Sequence, residues 1–187
     1  MAGGITTPKF VAAVSNAGAI GSFGFAYSLD EFIDNELIKV RQLTKNPVNA
    51  NFFIFPEQHI VSKKIFDAAV KSLNQLPINF DLRHACPEPP YTPSIYDQLE
   101  PIWIHRPECL TFHFGAPEKT IIDKAKSLGI IVGVTVTNLL EAETVLKSEA
   151  DFLIAQGIEA GGHRGSFSDT IFDSRLPTLD LLKLLLR

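Results

Sequence analysis

The side chains best suited to chemistry fall in one run, Ala155-Gln156-Gly157-Ile158-Glu159-Ala160-Gly161-Gly162-His163-Arg164-Gly165-Ser166-Phe167. Within 157–165 lie four glycines, a carboxylate, an imidazole and a guanidinium. Glycines let the backbone turn sharply and let a ligand come close, with N–H groups left to bond it. An imidazole is neutral and basic near pH 7, so His163 can take a proton from an acidic carbon. Arg164 supplies a positive field for an anionic oxygen or, more conservatively, a salt bridge to Glu159. Glu159 reads as structural, orienting the loop. Ser166 bonds a ligand or caps the next turn. The run follows Asp151-Phe152-Leu153-Ile154, which reads as a buried parallel strand. A strand end that opens into glycines and titratable groups is where α/β proteins place their chemistry. That outweighs the alternative of a mobile surface loop with solvated side chains.

The elements that must position this loop alternate along the chain. Thr7-Pro8 starts a helix, with Phe10, Ala13, Val14 and Ala17 on one face and Gly18 ending it. Residues 19–23 read as a strand. Ser28 and Glu31 form a capping box before a helix whose face is Ile33, Leu37, Val40 and Leu43, with Asp34, Lys39 and Arg41 toward water. Strands are expected at 48–54, 109–114, 130–136 and 151–156. Helices are expected at 59–74 (Val61, Ile65, Ala69 and Leu73 on one face) and 94–106 (disturbed by Pro101). Two more start at Pro117 (Ile121, Ile122, Ala125 and Leu128, closed by Gly129) and at Asn138-x-x-Glu141, with Leu139, Ala142, Val145 and Leu146 inward. The tail, Leu181 to Leu186, opens a core-facing helix. Strands alternating with helices across short connections mean a parallel sheet. An open doubly wound sheet and a barrel both satisfy that order. The exception to short connections is 56–93, which ends in Cys86-Pro87-Glu88-Pro89-Pro90-Tyr91-Thr92-Pro93. Its prolines exclude a central strand or helix. An insertion of that length is a lid over a site or an inert excursion.

Composition narrows the classes. A chain of 187 residues, 45% hydrophobic, is one domain or part of a larger one. A net charge of −4 argues against a nucleic-acid binder. No apolar stretch approaches the ~20 residues of a membrane span, and no signal peptide is evident. Two cysteines, Cys86 and Cys109, suit a reducing compartment and lack zinc-site spacing. A cytoplasmic protein without a metal site is expected. Ala17-Gly18-Ala19-Ile20-Gly21 lacks the nicotinamide fingerprint and follows a helix.

The 155–167 run resembles the signature of the nitronate monooxygenases, flavin enzymes formerly called 2-nitropropane dioxygenases. Three other segments match in the family's order. They are Met1-Ala2-Gly3-Gly4-Ile5-Thr6-Thr7-Pro8 with Val14-Ser15-Asn16-Ala17-Gly18-Ala19-Ile20-Gly21, then Val48-Asn49-Ala50-Asn51-Phe52-Phe53, then Thr111-Phe112-His113-Phe114-Gly115. The resemblance implies an α/β fold, the (β/α)8 TIM barrel, incomplete here. The family's first strand would precede Met1 and its last two would follow Arg187, so 1–187 is a partial barrel domain carrying the 56–93 insertion in a βα loop. It also implies FMN as a non-covalent cofactor, contacted by Asn51, Gln156 and the backbone of Gly161. His163 becomes the catalytic base toward nitroalkanes. The substrates are a nitronate and O2, and the products a carbonyl compound and nitrite.

Read for themselves, these positions are less decided. Asn51 lies within a strand, and its amide can donate and accept at a flavin edge or satisfy a neighbouring loop. Gln156 ends a strand, within reach of a flavin carbonyl. His113 alternates with Phe112 and Phe114 and so faces away from both. It lines the pocket or is a satisfied structural histidine. Gly115 fits a close ligand or a tight turn. His59, His84 and His105 read as surface residues. Two rivals stay open. An FMN-dependent enoyl-[acyl-carrier-protein] reductase shares a Glu-Ala-Gly-Gly-His string, although Arg164 and Phe112-His113-Phe114-Gly115 favour the monooxygenase. An inactive barrel fragment is the other, because flavin phosphate in such barrels docks beyond the strands seen here.

Overall fold

The computed structural model describes residues 5–55, 60–76, 88–167 and 175–187. The order is α1 (Pro8–Asn16), β1 (Gly21–Gly24), α2 (Asp30–Leu43), β2 (Val48–Phe53), α3 (Lys63–Leu73), α4 (Ile95–His105), β3 (Cys109–His113), α5 (Lys119–Ser127), β4 (Ile131–Val136), α6 (Leu139–Ser148), β5 (Phe152–Ala155) and α7 (Thr178–Leu185). The five strands form one sheet in the order β1-β2-β3-β4-β5, every pair parallel. Sequential parallel strands joined through helices are the running order of a (β/α)8 barrel, here with five strands. The chain divides into two units, 1–56 with 93–187, and 57–92.

In the larger unit the two sheet faces differ because side chains alternate along each strand. Phe23, Ala50, Phe52, Leu110, Phe112, Val132, Val134 and Val136 are fully buried. They join Val11, Ile33, Leu37, Leu99, Ile122 and Val145 from the helices in one core. Burying a side chain the size of Phe52 contributes about 2–3 kcal/mol. The other face mixes polar and small residues with Phe53 and Phe152. Register aligns Ser22 with Asn49, and Gly24, Asn51, Thr111 and Gly133 in one row. Gly133 pairs with Phe152, and a Cβ there would lie 2.2 Å from the Phe152 ring.

Several local expectations change. Helix α1 buries Val11, Ala12 and Ser15, whereas Phe10 is exposed. Ser15 sets that face: its hydroxyl donates to the Pro47 carbonyl at 2.8 Å and accepts from Gly21 N–H at 3.0 Å. Ser28 forms no capping box. Leu29 is the N-cap, and the Ser28 carbonyl instead accepts from the buried Gln98 amide at 2.8 Å. Asp30 and Glu31 supply negative charge to the first turn of α2. Leu43 is exposed. Helix α4 runs through Pro101, which is buried. His105 is no surface residue, because it pairs with Asp34 at 2.7 Å and its side chain is only 19% exposed. His59 and His84 lie outside the described residues. Arg41 turns from water to Glu108 at 2.7 Å. Helix α6 buries Glu141, Ala142 and Val145 and leaves Leu139 and Leu146 exposed. Trp103 on α4 packs against the core, with Lys124 Nζ 4.8 Å from its ring.

The smaller unit contributes α3, capped by Ser62, whose hydroxyl accepts from Ile65 N–H at 3.4 Å. No residue of α3 is buried; Val61, Ile65 and Leu73 are exposed rather than a packed face. Cys86 is outside the described residues, and Cys109 is a buried free thiol whose pKa burial raises. No helix among the described residues is long and apolar enough to cross a membrane.

Candidate active site

The polar rows of the inner face climb toward the C-terminal ends of the strands and end in a cavity of about 710 Å³. Tyr27, Asn51, Phe53, His113, Gln156, Gly161, Gly162 and His163 line it. That volume is within the usual range for small-molecule and cofactor sites. Asn51 and, from the 155–167 run, Gln156, Gly161 and His163 therefore line one cavity.

Each is held differently. Asn51 stands on β2, one pleat below Phe53. Its Nδ2 donates to the Thr111 carbonyl at 3.2 Å and the Thr111 hydroxyl at 3.0 Å. The amide nitrogen is thus tethered to β3, and its oxygen accepts from no described residue. One pleat deeper, Asn49 donates to Ser22 at 2.7 Å and Thr111 at 2.9 Å, while its own Oδ1 is buried without a partner. An amide acceptor beside aromatic walls fits a flat heterocycle bearing N–H and carbonyl groups, such as a flavin.

Gln156 follows β5 and does more than end a strand. Its Nε2 donates to the His163 carbonyl at 3.2 Å and its Oε1 accepts from Gly165 N–H at 2.6 Å. Both ends of the amide brace the loop that returns past it. Arg164 donates to the Gln156 carbonyl at 2.6 Å and the Thr137 carbonyl at 3.4 Å. The Glu159 carboxylate accepts from Thr178 N–H at 2.8 and 3.1 Å and so caps α7. Its own backbone N–H and then Thr178 hold its pKa below the usual value, and Arg164 adds the smallest lowering. Glu159 orients the loop as its sequence suggests, with Thr178 as its partner. Gly157 is forced, since a Cβ there would lie 2.1 Å from Thr178 N. Gly161 and Gly162 face open space, and Gly162 has φ +82°.

His113 sits at the end of β3, its ring 5.6 Å from Phe53 and 4.5 Å from Phe114. Burial lowers its pKa, opposed by a hydrogen bond to the His163 backbone; the His163 charge lowers it further and Glu141 raises it. The ring is therefore neutral at pH 7. A Cβ at Gly165 would lie 2.4 Å from it, so loop and ring pack directly. The alternation rule holds for Phe112, which faces the core, and fails for Phe114. That residue adopts φ +69°, a left-handed backbone costly for a bulky residue. Its ring swings into the site, 4.6 Å from Phe53 and 6.2 Å from His163. Gly115 serves a tight turn, its Cα side packed against Ile54. His163 itself is exposed at the rim.

Tyr27, Phe53, Phe114, Thr111 and Glu141 were not singled out as site residues from sequence. Phe53 and Thr111 were findable, because period two from Asn51 and His113 puts both on the inner face. Phe114 was not, because a left-handed bulky residue has no sequence signature.

Residues 1–184 match the family model described as nitronate monooxygenase. A nitronate monooxygenase of Paraburkholderia phytofirmans is 37% identical over 97% of this chain and 50% of its own length. One from Pseudomonas aeruginosa is 37% identical over 97% of this chain and 52% of its own. The chain thus spans about half the length of the curated relatives it matches. Among solved structures, nitroalkane oxidase from Streptomyces ansochromogenes aligns with a TM-score of 0.78 at 28% identity, covering 99% of this chain and 53% of that one. FabK from Thermotoga maritima shares the fold, with a TM-score of 0.67 at 22% identity, covering 99% of this chain and 44% of that one. The five parallel strands are accordingly an incomplete (β/α)8 barrel, and the chain belongs to the nitronate monooxygenase family, whose members are oxidoreductases.

Proposed function

We propose that the cavity binds FMN and that the site oxidises alkyl nitronates, and through His163 nitroalkanes, with O2 to a carbonyl compound and nitrite. The observation that carries the reading is the position of His163: an imidazole at the rim of a cavity whose wall presents the Asn51 amide oxygen. Asn51, Gln156, Gly161 and Gly162 would hold the isoalloxazine, with Tyr27, Phe53 and His113 as its aromatic surroundings; Gln156 also braces the loop that forms this wall. When bound, FMN would supply the redox chemistry that links nitronate to O2. The chain's own groups supply the rest. The His163 imidazole removes the proton from the carbon beside a nitro group. Toward a nitronate, already an anion, it orients and stabilises charge. Arg164 lends a positive field from beneath the loop. Nitronate and O2 are the partners. A cytoplasmic location belongs to the same reading, supported by two cysteines in the chain and the free thiol of Cys109. The long connection at 56–93 is proposed as an insertion in a βα loop of this one barrel domain.

The test is direct. The purified chain is mixed with FMN and followed by flavin absorbance, then assayed for nitrite release from an alkyl nitronate and for NAD(P)H-driven reduction of an enoyl thioester. Nitrite release is expected. Enoyl reduction without nitrite would favour the reductase reading, and protein that takes up no FMN would favour an inactive fragment. In the active protein, His163→Ala is expected to lower turnover of neutral nitroalkane by about 10²–10⁴-fold and of nitronate far less. Equal losses on the two substrates would remove His163 from the role of base.

A further inference from the structure

Glu141 is 1% exposed, and the chemistry above does not use it. It lies in the first turn of α6, where Asn138 Oδ1 accepts its N–H at 3.0 Å. A glutamate there normally bonds back to the N-cap N–H and remains at the surface. Here one oxygen, Oε2, accepts from Thr137 N–H at 2.6 Å and the Thr137 hydroxyl at 2.9 Å. The other, Oε1, leaves the helix and accepts from Phe167 N–H at 3.1 Å, 26 residues later in the chain. A helix start needs one carboxylate oxygen and no burial. Burying a charge is costly unless its lone pairs are satisfied, and among the described residues the second oxygen is satisfied by the loop alone.

The same turn receives the loop a second time. The Thr137 carbonyl accepts from Arg164 at 3.4 Å while the Thr137 N–H goes to Glu141. The loop is therefore docked at 164 and at 167, on either side of Gly165, which is pressed against His113. His163 is the residue just before this docked stretch. We propose that Glu141 is a positioning residue for His163: its buried carboxylate clamps the β4–α6 turn to the segment 164–167 and thereby sets where the imidazole stands over the cavity. The proposal rests on the oxidase reading for its purpose, though not for its geometry. Glutamine cannot replace this carboxylate, because both oxygens accept N–H groups and one would meet the amide NH2 instead.

Backbone hydrogen exchange on the chain without cofactor tests the geometry. In the wild type, Phe167 N–H is expected to exchange at least about tenfold more slowly than Gly161 and Gly162, whose N–H groups bond no described residue. In Glu141→Gln that protection is expected to fall about tenfold, with Val132 and Val134 on β4 unchanged. Phe167 exchanging as fast as Gly161 and Gly162 in the wild type, or equally protected in wild type and variant, overturns the proposal. If the variant does not fold, the wild-type comparison decides alone. In flavin-loaded protein, Glu141→Gln is expected to lower kcat on nitroalkane by about 10–100-fold, with KM and FMN affinity within about threefold. A matched loss of FMN affinity and kcat would make Glu141 a general stabiliser and overturn the positioning role. A wild type that binds no flavin refutes the oxidase reading and leaves the exchange comparison to decide this one.

Discussion

At the scale of single residues, the site is a set of amides and imidazoles whose free ends are decided by where their other ends are tied. Asn51 shows the rule. Its nitrogen is tied to Thr111, so its oxygen is the end left to face the cavity. Thr111→Val removes the hydroxyl that orients it, and FMN affinity is expected to fall about tenfold, the worth of a typical hydrogen bond. Thr111→Ser is expected to keep wild-type affinity. Flavin absorbance titrations of both variants check this, and unchanged affinity in the valine variant would count against the oriented amide. The residue types of the site were legible because glycines, an imidazole and an amide at strand ends have few structural reasons to coincide. What each side chain bonds was less legible. Gln156 braces its own loop while it lines the cavity, and Glu141, which marked an ordinary helix start, reaches 26 residues ahead. Both depend on contacts that form only after the chain has closed on itself.

At the scale of elements, the strands followed the sequence closely because each is a short apolar-rich run set between turn signals and helical spacing. The five observed strands lie within one or two residues of their expected bounds. Helix faces fared worse. Apolar spacing put Phe10 inside α1 and Leu139 and Leu146 inside α6, yet hydrogen-bonding residues, Ser15 and Glu141, chose the buried face in each. Two polar side chains with obligatory partners outweighed the hydrophobic pattern, because a buried unpaired polar group costs about 1–3 kcal/mol. Packing of β4 against β5 offers a sharper check. Gly133 exists to admit the Phe152 ring, with no room for a Cβ. Gly133→Ala is expected to destabilise the fold by about 1–3 kcal/mol, and Gly133→Ala with Phe152→Leu to recover part of that. Chemical denaturation measures both; an undisturbed single variant would mean the two strands do not meet as described.

At the scale of the whole molecule, stability is expected to respond to pH through His113. Its folded pKa is lowered by burial, so the unfolded chain binds the proton more readily. Stability is then fully present above the ordinary imidazole value of about 6.5 and declines as pH falls through the lowered folded value. Glu108 acts in the same sense at lower pH: burial pushes its pKa up, but Arg41 and the Val48 N–H pull it below the usual carboxylate value. Melting curves from pH 8 to 5 should show the decline, and His113→Phe should flatten its upper part. A wild type equally stable at both ends of that range would contradict the lowered pKa of this half-buried ring. One further feature makes the molecule easy to interrogate. The chain has a single tryptophan, Trp103, wedged between the core and the Lys124 ammonium. Its emission therefore reports one place, and flavins absorb where indoles emit. Loading the cavity should dim that lone lamp by energy transfer, so an ordinary fluorimeter can count occupied molecules without any turnover assay.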